Sequence, residues 1–263
     1  MSDRYPSIEL KKGKEKSLLA KHPWIFSGAI AKEPKDLKEG TIVSVIDNEK
    51  NFLANGHFHK ATISVRCLTF ENVPIDSRFW YTKISRAYKL RKTLGLVESN
   101  QTTIYRLVHV EGDGCPGLVI DIYGKTAIVQ VYTKGMFDAI PLIKDALLKV
   151  YKNELQAVYS KSAETLAKHG VSNISDGYLY QADDFKEEEF AIENDLKFKI
   201  NYIEGQKTGF FIDQRNNRSL VQHYAKGKSV LNTFCYTGGF SLYALQGGAS
   251  RVVSVDKIGR AHV

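Results

Sequence analysis

Residues 229–256, SVLNTFCYTGGFSLYALQGGASRVVSVD, constrain this chain more than any other stretch. A short apolar run from Ser229 to Phe234 ends in the polar glycine turn Cys235-Tyr236-Thr237-Gly238-Gly239. The helical segment FSLYALQGG follows, and a second apolar run, RVVSVD, closes the block. Strand, glycine turn, helix and second strand in this order open a doubly wound α/β fold. Asp256 ends the second strand about 20 residues past the glycines, where a carboxylate can accept hydrogen bonds from both hydroxyls of a ribose. Gly238 and Gly239 let the backbone approach a ligand closely, and the following helix offers its positive end to a carboxylate. S-adenosylmethionine carries both a ribose and an amino-acid carboxylate. A dinucleotide brings a pyrophosphate and prefers GxGxxG, which is absent, so a nicotinamide dehydrogenase is a distant reading. On this block alone, a purely structural αβ turn remains open.

With 263 residues, two or more globular units are expected. No run approaches the roughly 20 apolar residues that span a bilayer, and the start MSDRYPSIEL has no apolar export core, so a cytoplasmic protein without membrane contact is expected. Lys and Arg number 37 against 29 Asp and Glu, an excess that suits a polyanionic partner and equally a merely soluble basic protein. Three scattered cysteines without a CxxC pair predict reduced thiols and no metal site.

From Ile8 to Phe70, short β-branched runs separated by turns predict a small β-rich domain. Lys11, Lys12, Lys14, Lys16 and Lys21 precede Trp24 and Phe26, a combination suited to an RNA backbone and its unstacked bases. Taken alone, the two aromatics read rather as plugs of the small sheet domain, with the lysines solvated. Residues 76–95 predict a helix capped by Asp76 or Ser77, with Phe79, Trp80, Ile84, Ala87 and Leu90 on one face. Its basic residues Arg78, Lys83, Arg86, Lys89, Arg91 and Lys92 form a candidate phosphate rail. Between Tyr105 and Phe198, strands alternate with a helix predicted over Met136–Tyr151, giving an α+β insert. Its turns at Gly112-Asp113-Gly114 and Tyr123-Gly124-Lys125 fit hairpins, and Glu111, Asp113 and Asp121 read as structural. The acidic run 183–189 reads as a solvated linker or loop edge.

The segments QKTGFFIDQRNNR and LNTFCYTGGFSLYALQGGASRVVSVD, with HPWIFSGAI near the N-terminus and EGDGCPGLVIDIYG in the middle, closely resemble the PUA-domain-containing class I methyltransferases of large-subunit rRNA cytosine C5. The resemblance runs over essentially the whole chain. It implies a multidomain α/β and α+β protein: a PUA-like RNA-binding domain over 1–73, a central α+β domain with the basic helix over 74–188, and the incomplete start of a Rossmann-like methyltransferase domain over 189–257. S-adenosylmethionine is the implied cofactor and ribosomal RNA the implied partner, with a homodimer allowed. Thr208, Gly209, Phe210 and Asp213 would line the cofactor mouth. Asn232, Phe234, Tyr236, Thr237, Gly238, Gly239 and Phe240 would form its strand and turn, with Asp256 on the ribose. Lys12, Lys14, Lys21, Trp24, Arg86 and Lys89 are the candidate RNA contacts. Arg215 would anchor the loop on a carboxylate or face RNA. Either Phe210 or Phe211 is expected to pack beneath the turn.

Methylation at cytosine C5 normally needs a cysteine thiolate to add at C6. Cys67, Cys115 and Cys235 all read as structural, and in the family this chain resembles the catalytic cysteine lies beyond Asp256. No catalytic residue is therefore assigned here. Stopping the sheet after two strands would leave apolar faces uncovered. In addition, the codons AAG ATC GGA AGA GCA CAC GTC would encode residues 257–263 and coincide with a common sequencing adapter. The expectation is an inactive, poorly soluble fragment with a non-native tail at 258–263. Two further readings stay open: methylation of a base nitrogen such as guanine N7, which needs no thiolate, and a non-catalytic RNA-binding protein.

Overall fold

The computed structural model describes residues 5–186 and 190–257. The expectations for the tail at 258–263 and for the end of the acidic run fall outside them. The described residues divide between two compact units, 5–98 with 106–186, and 99–105 with 190–257.

The first unit opens with β1 (Ser7–Leu10), α1 (Lys16–Leu19), β2 (Trp24–Phe26), β3 (Ile30–Lys32), β4 (Ile42–Ile46), β5 (Phe52–Phe58) and β6 (Ile63–Thr69). These strands form one sheet in the order β2-β6-β5-β4-β1-β3, with β1 parallel to β4 and the other pairs antiparallel. Ile8, Leu10, Val43, Val45, Ala54 and Val65 are fully buried in its core. Along β4 every second residue, Val43 and Val45, turns into this core, as a half-buried strand requires.

Next comes α2 (Ser77–Thr93), whose N-cap Asp76 accepts from Phe79 N at 3.0 Å. Its buried face is Trp80, Ile84, Ala87 and Arg91, so Arg91 takes the inward place expected of Leu90, which is exposed. A second sheet, in the order β11-β10-β9-β8-β7, combines β7 (Ile104–His109), β8 (Leu118–Tyr123), β9 (Thr126–Val131), β10 (Ala157–Ser160) and β11 (Gly177–Gln181). The turn at Gly124 joins β8 to β9 as a tight hairpin, with Tyr123 opposite Thr126. The expected hairpin at 112–114 is instead a longer link: a 3-10 turn over Val110–Asp113 closed by left-handed Gly114. The expected single helix over Met136–Tyr151 divides into α3 (Lys134–Asp138) and α4 (Ile140–Tyr151). Pro141 causes the break, because it has no N–H to continue the α3 ladder and suits the first turn of a new helix. A short α5 (Ala163–Lys168) follows β10.

The expected boundary at 73/74 falls inside this unit. Trp24 Nε1 donates to Glu111 Oε1 at 2.8 Å, and a Cβ at Gly40 would lie 2.8 Å from Gly135 N. Glu111, Asp113 and Asp121 all have structural partners: Trp24, Arg91 and Arg106 respectively.

The second unit contains the hairpin β12 (Ala191–Glu193) and β13 (Leu196–Phe198), then α6 (Arg215–Tyr224), β14 (Ser229–Thr233), α7 (Gly239–Gln246) and β15 (Arg251–Val255). Residues 99–105, expected with the central domain, join it instead. Thr103 N donates to Ile192 O at 2.8 Å, and Ile192 N donates to Thr103 Oγ1 at 2.9 Å. Strands β14 and β15 pair in parallel, Ser229 opposite Arg251 through Thr233 opposite Val255, which is the βαβ unit expected from the sequence. Leu231 and Val255 on this pair are 66% and 50% exposed. Among the described residues, no helix is long and apolar enough to cross a membrane, and no group of three or more His, Cys, Asp or Glu is placed to hold a metal.

Candidate functional site

The turn between β14 and α7 is tightly wound. Phe234, Tyr236 and Gly238 have φ of 58°, 48° and 76°, a left-handed conformation that only Gly238 adopts without strain. Asp256, at the end of β15, folds its carboxylate onto this turn and accepts from Tyr236 N at 2.5 Å and from Lys257 N at 2.6 Å. Cys235 N reaches Val255 O at 3.2 Å, so the two strand ends are held side by side. An exposed carboxylate beside a glycine turn, at the head of an eight-residue helix, retains lone pairs for further donors.

A second segment faces this turn. Tyr236 Oη accepts from Gln206 N at 3.1 Å and lies 3.5 Å from Gly209 O, and its ring meets Phe211 edge-on at 5.4 Å. Gly209 has φ of 113°, and a Cβ there would lie 2.9 Å from Tyr202 Cα, so the loop needs glycine at this position. The sequence motifs around Thr208 and Tyr236, about 30 positions apart, thus converge through one phenol.

Several expected cofactor residues have other duties. Thr208 is fully buried. Phe210 is the aromatic that packs beneath: it is buried, lies 4.9 Å from the Phe198 ring, and has the Arg218 guanidinium 4.6 Å above it. Asn232 commits its amide to Ser241 Oγ at 2.8 Å, and Ser241 in turn meets Ser254 Oγ at 2.6 Å, tying α7 to both strands. Asp213 is exposed on the 3-10 turn over Ile212–Gln214. Phe234 (87% exposed) and Thr237 open to solvent, Phe240 is half-buried, and Gly239 is buried.

Beneath the loop lies a buried network that sequence reasoning missed. Glu193, fully buried at the end of β12, accepts from Arg218 Nε and Nη2, both at 2.8 Å, from Tyr243 Oη at 3.0 Å and from Arg215 Nε at 3.2 Å. Burial, then the adjacent Glu193 carboxylate, holds the Tyr243 phenol above its usual range. Arg215, expected either to pair with a carboxylate or to face RNA, does the first, and it also donates to Ile104 O. Its guanidinium is therefore engaged inside the unit. The only sequence signal was the spacing of Arg215 and Arg218, one helical turn apart.

The basic candidates on the first unit divide similarly. Lys12, Lys14, Lys21, Arg86 and Lys89 are exposed. Lys14 and Trp24 share the lining of a cavity of about 340 Å³ with Leu18 and Phe26, whereas Lys21 Nζ lies over the Phe70 ring at 4.9 Å. Trp24 is half-buried; Glu111 takes its N–H and Arg66 covers its ring at 5.7 Å. Phe26, exposed, does not plug the core. Two members of the candidate rail turn inward: Lys83 donates to Gly114 O at 2.9 Å, and Arg91 pairs with Asp113. Burial pushes the Cys67 and Cys115 thiols up to about 12, so neither is a thiolate near neutral pH.

Comparison with known proteins adds to this geometry. Residues 8–70 match the PUA-like domain family, and residues 173–262 match the S-adenosylmethionine-dependent methyltransferase family. The chain joins a PUA-like domain to a methyltransferase fold. It is 37% identical over 252 residues to ribosomal RNA large subunit methyltransferase I of Pseudoalteromonas atlantica, covering 95% of this chain and 62% of the relative. The Vibrio cholerae protein of that name is 37% identical over 253 residues with the same coverage. The chain thus spans about 62% of the length of these curated relatives. A Streptococcus mutans structure, assigned as an S-adenosylmethionine-dependent methyltransferase, superposes with a TM-score of 0.79 at 25% identity, covering 97% of this chain and 65% of that one. Another structure with the same score, likewise assigned as a methyltransferase, was solved as a complex with SAH.

Proposed function

We propose that this chain carries the methyl-donor site of an S-adenosylmethionine-dependent methyltransferase acting on large-subunit rRNA, with cytosine C5 as the target. The observation that carries the reading is the Asp256 carboxylate, set at the end of β15 within 2.5 Å of the amide of Tyr236, the residue that also clips the Gln206–Gly209 loop. Asp256 would hold the ribose, with the Gly238–Gly239 turn and the start of α7 beside the amino-acid end. Bound S-adenosylmethionine supplies an electrophilic methyl group. This chain's part is to orient it and exclude water.

The fit rests on three features: an exposed carboxylate, a glycine turn without a dinucleotide fingerprint, and a loop whose Gly209 leaves no room for a side chain. Calorimetric titration with S-adenosylmethionine is the direct test. Asp256→Ala should weaken binding about 10- to 100-fold through loss of charge-assisted hydrogen bonds. Unchanged affinity would remove Asp256 from the site.

RNA contact is assigned to the exposed cations of the first unit. Arg86→Ala with Lys89→Ala should weaken binding to an rRNA fragment and flatten the dependence of log K on log salt by about 1 to 2. An unchanged slope would place the RNA elsewhere.

Methylation of a base nitrogen such as guanine N7 is the second reading. A nitrogen is nucleophilic by itself, so this reading needs no cysteine thiolate. Salt-sensitive RNA binding without calorimetric heat from S-adenosylmethionine would instead favour a non-catalytic RNA-binding protein.

A further inference from the structure

We infer that Arg218 is a positioning residue: it holds the Gln206–Phe211 loop at a set distance from the Gly238–Gly239 turn and so fixes the width of the cofactor mouth. The inference rests on the cofactor reading above.

Four contacts of one buried side chain carry it. The Nε and Nη2 edge of the guanidinium is locked on the Glu193 carboxylate, each at 2.8 Å, and this carboxylate is itself held by Tyr243 Oη. With that edge fixed, the remaining nitrogen, Nη1, is aimed at Phe211 O and donates to it at 3.0 Å. The face of the group covers the Phe210 ring at 4.6 Å. The stem fills the space beside the first residue of α7, where a Cβ on Gly239 would lie 3.3 Å from Arg218 Cδ. One planar cation therefore grips the loop by a backbone carbonyl and an aromatic face, while its stem and its carboxylate partner abut α7. Tyr236 clips the same loop at Gln206 and Gly209.

A planar fork can make these contacts together because its donors lie in one plane at fixed angles. Lysine, with a single ammonium, can neutralise Glu193 but cannot also hold Phe211 O and cover a ring. A side chain at position 239 would press on the Arg218 stem, which would have to give by a few tenths of an ångström.

The test must separate positioning from folding, because a buried guanidinium paired with a carboxylate also contributes to stability. The variant Arg218→Met leaves Glu193 paired with Arg215 and Tyr243 and keeps apolar volume. Arg218→Lys keeps the charge balance. Each is compared with the wild-type full chain by thermal midpoint, by calorimetric affinity for S-adenosylmethionine and S-adenosylhomocysteine, and by amide hydrogen exchange across residues 206–211 without ligand. We expect both variants to melt close to wild type, with exchange of the loop amides at least about tenfold faster and affinity at least about tenfold weaker, because the site is no longer pre-organised. Wild-type loop protection together with wild-type affinity in either variant would overturn the proposal. If the wild-type chain bound neither ligand, the cofactor reading would fail by itself, and the exchange comparison would still decide whether Arg218 holds the loop.

Discussion

Asp113→Ala is expected to destabilise the first unit by about 3–5 kcal/mol, the cost of leaving a buried charge without its partner. Arg91 lies on the buried face of α2, its side chain 10% exposed, and Asp113 grips its two terminal nitrogens at 2.5 and 2.7 Å. The same carboxylate accepts from His109 N at 2.6 Å, and Arg91 Nε donates to Arg106 O at 3.0 Å. The pair thus fastens α2 to the link between β7 and β8. An exposed pair would contribute little and would weaken with salt; this one should be nearly insensitive to salt. Denaturant unfolding gives the measurement, read as a fall in midpoint at unchanged slope. The double variant Arg91→Met with Asp113→Ala should recover most of the loss, because no charge is then stranded. Similar stability losses in the single and double variants would show that packing, not the charge, carries the effect.

Acidification should weaken the same unit by a comparable amount through His57. Burial, then the nearby His59, lowers the His57 pKa from 6.5 to about 3. The ring is 2% exposed on β5, and a Cβ at Gly135 would lie 2.4 Å from its Cγ. The folded pKa is depressed, so the unfolded chain binds the proton more readily. The contribution of neutral His57 is therefore complete above about pH 6.5 and is lost progressively as the pH falls toward 3, to a total of about 4–5 kcal/mol. Burial also lowers the His59 pKa, against the opposing Glu39 contact, and this acts in the same direction. Thermal midpoints measured from pH 7.5 to 4 should fall steeply for the wild type and more gently for His57→Asn. Parallel curves would rule out His57 as the source.

Much of the candidate site was legible in the sequence because its parts are local. Strand, glycine turn, helix and strand follow one another within 229–256, and the placement of Asp256 follows from strand length and parallel pairing. The α2 cap and the Gly124 hairpin were legible for the same reason: a few adjacent residues decide them. Pro141 was also visible, yet one continuous helix was expected across it.

What the sequence could not show depended on residues far apart. Charge patterning sends arginines outward, so Arg91 was placed on a phosphate rail and Arg218 was passed over, although both are buried. Each is tolerated inside only because a carboxylate from another segment meets it, Asp113 for one and Glu193 for the other. The same limit hid the affiliation of residues 99–105, whose partner at Ile192 lies about 90 positions on. By itself the sequence determined the local elements, the βαβ unit and the Asp256 position, since hydrophobic period and turn chemistry act over a few residues. Tertiary structure alone decided which charges are buried and which groups meet the Gln206–Phe211 loop, because desolvating a charge is affordable only where distant segments bring its partner.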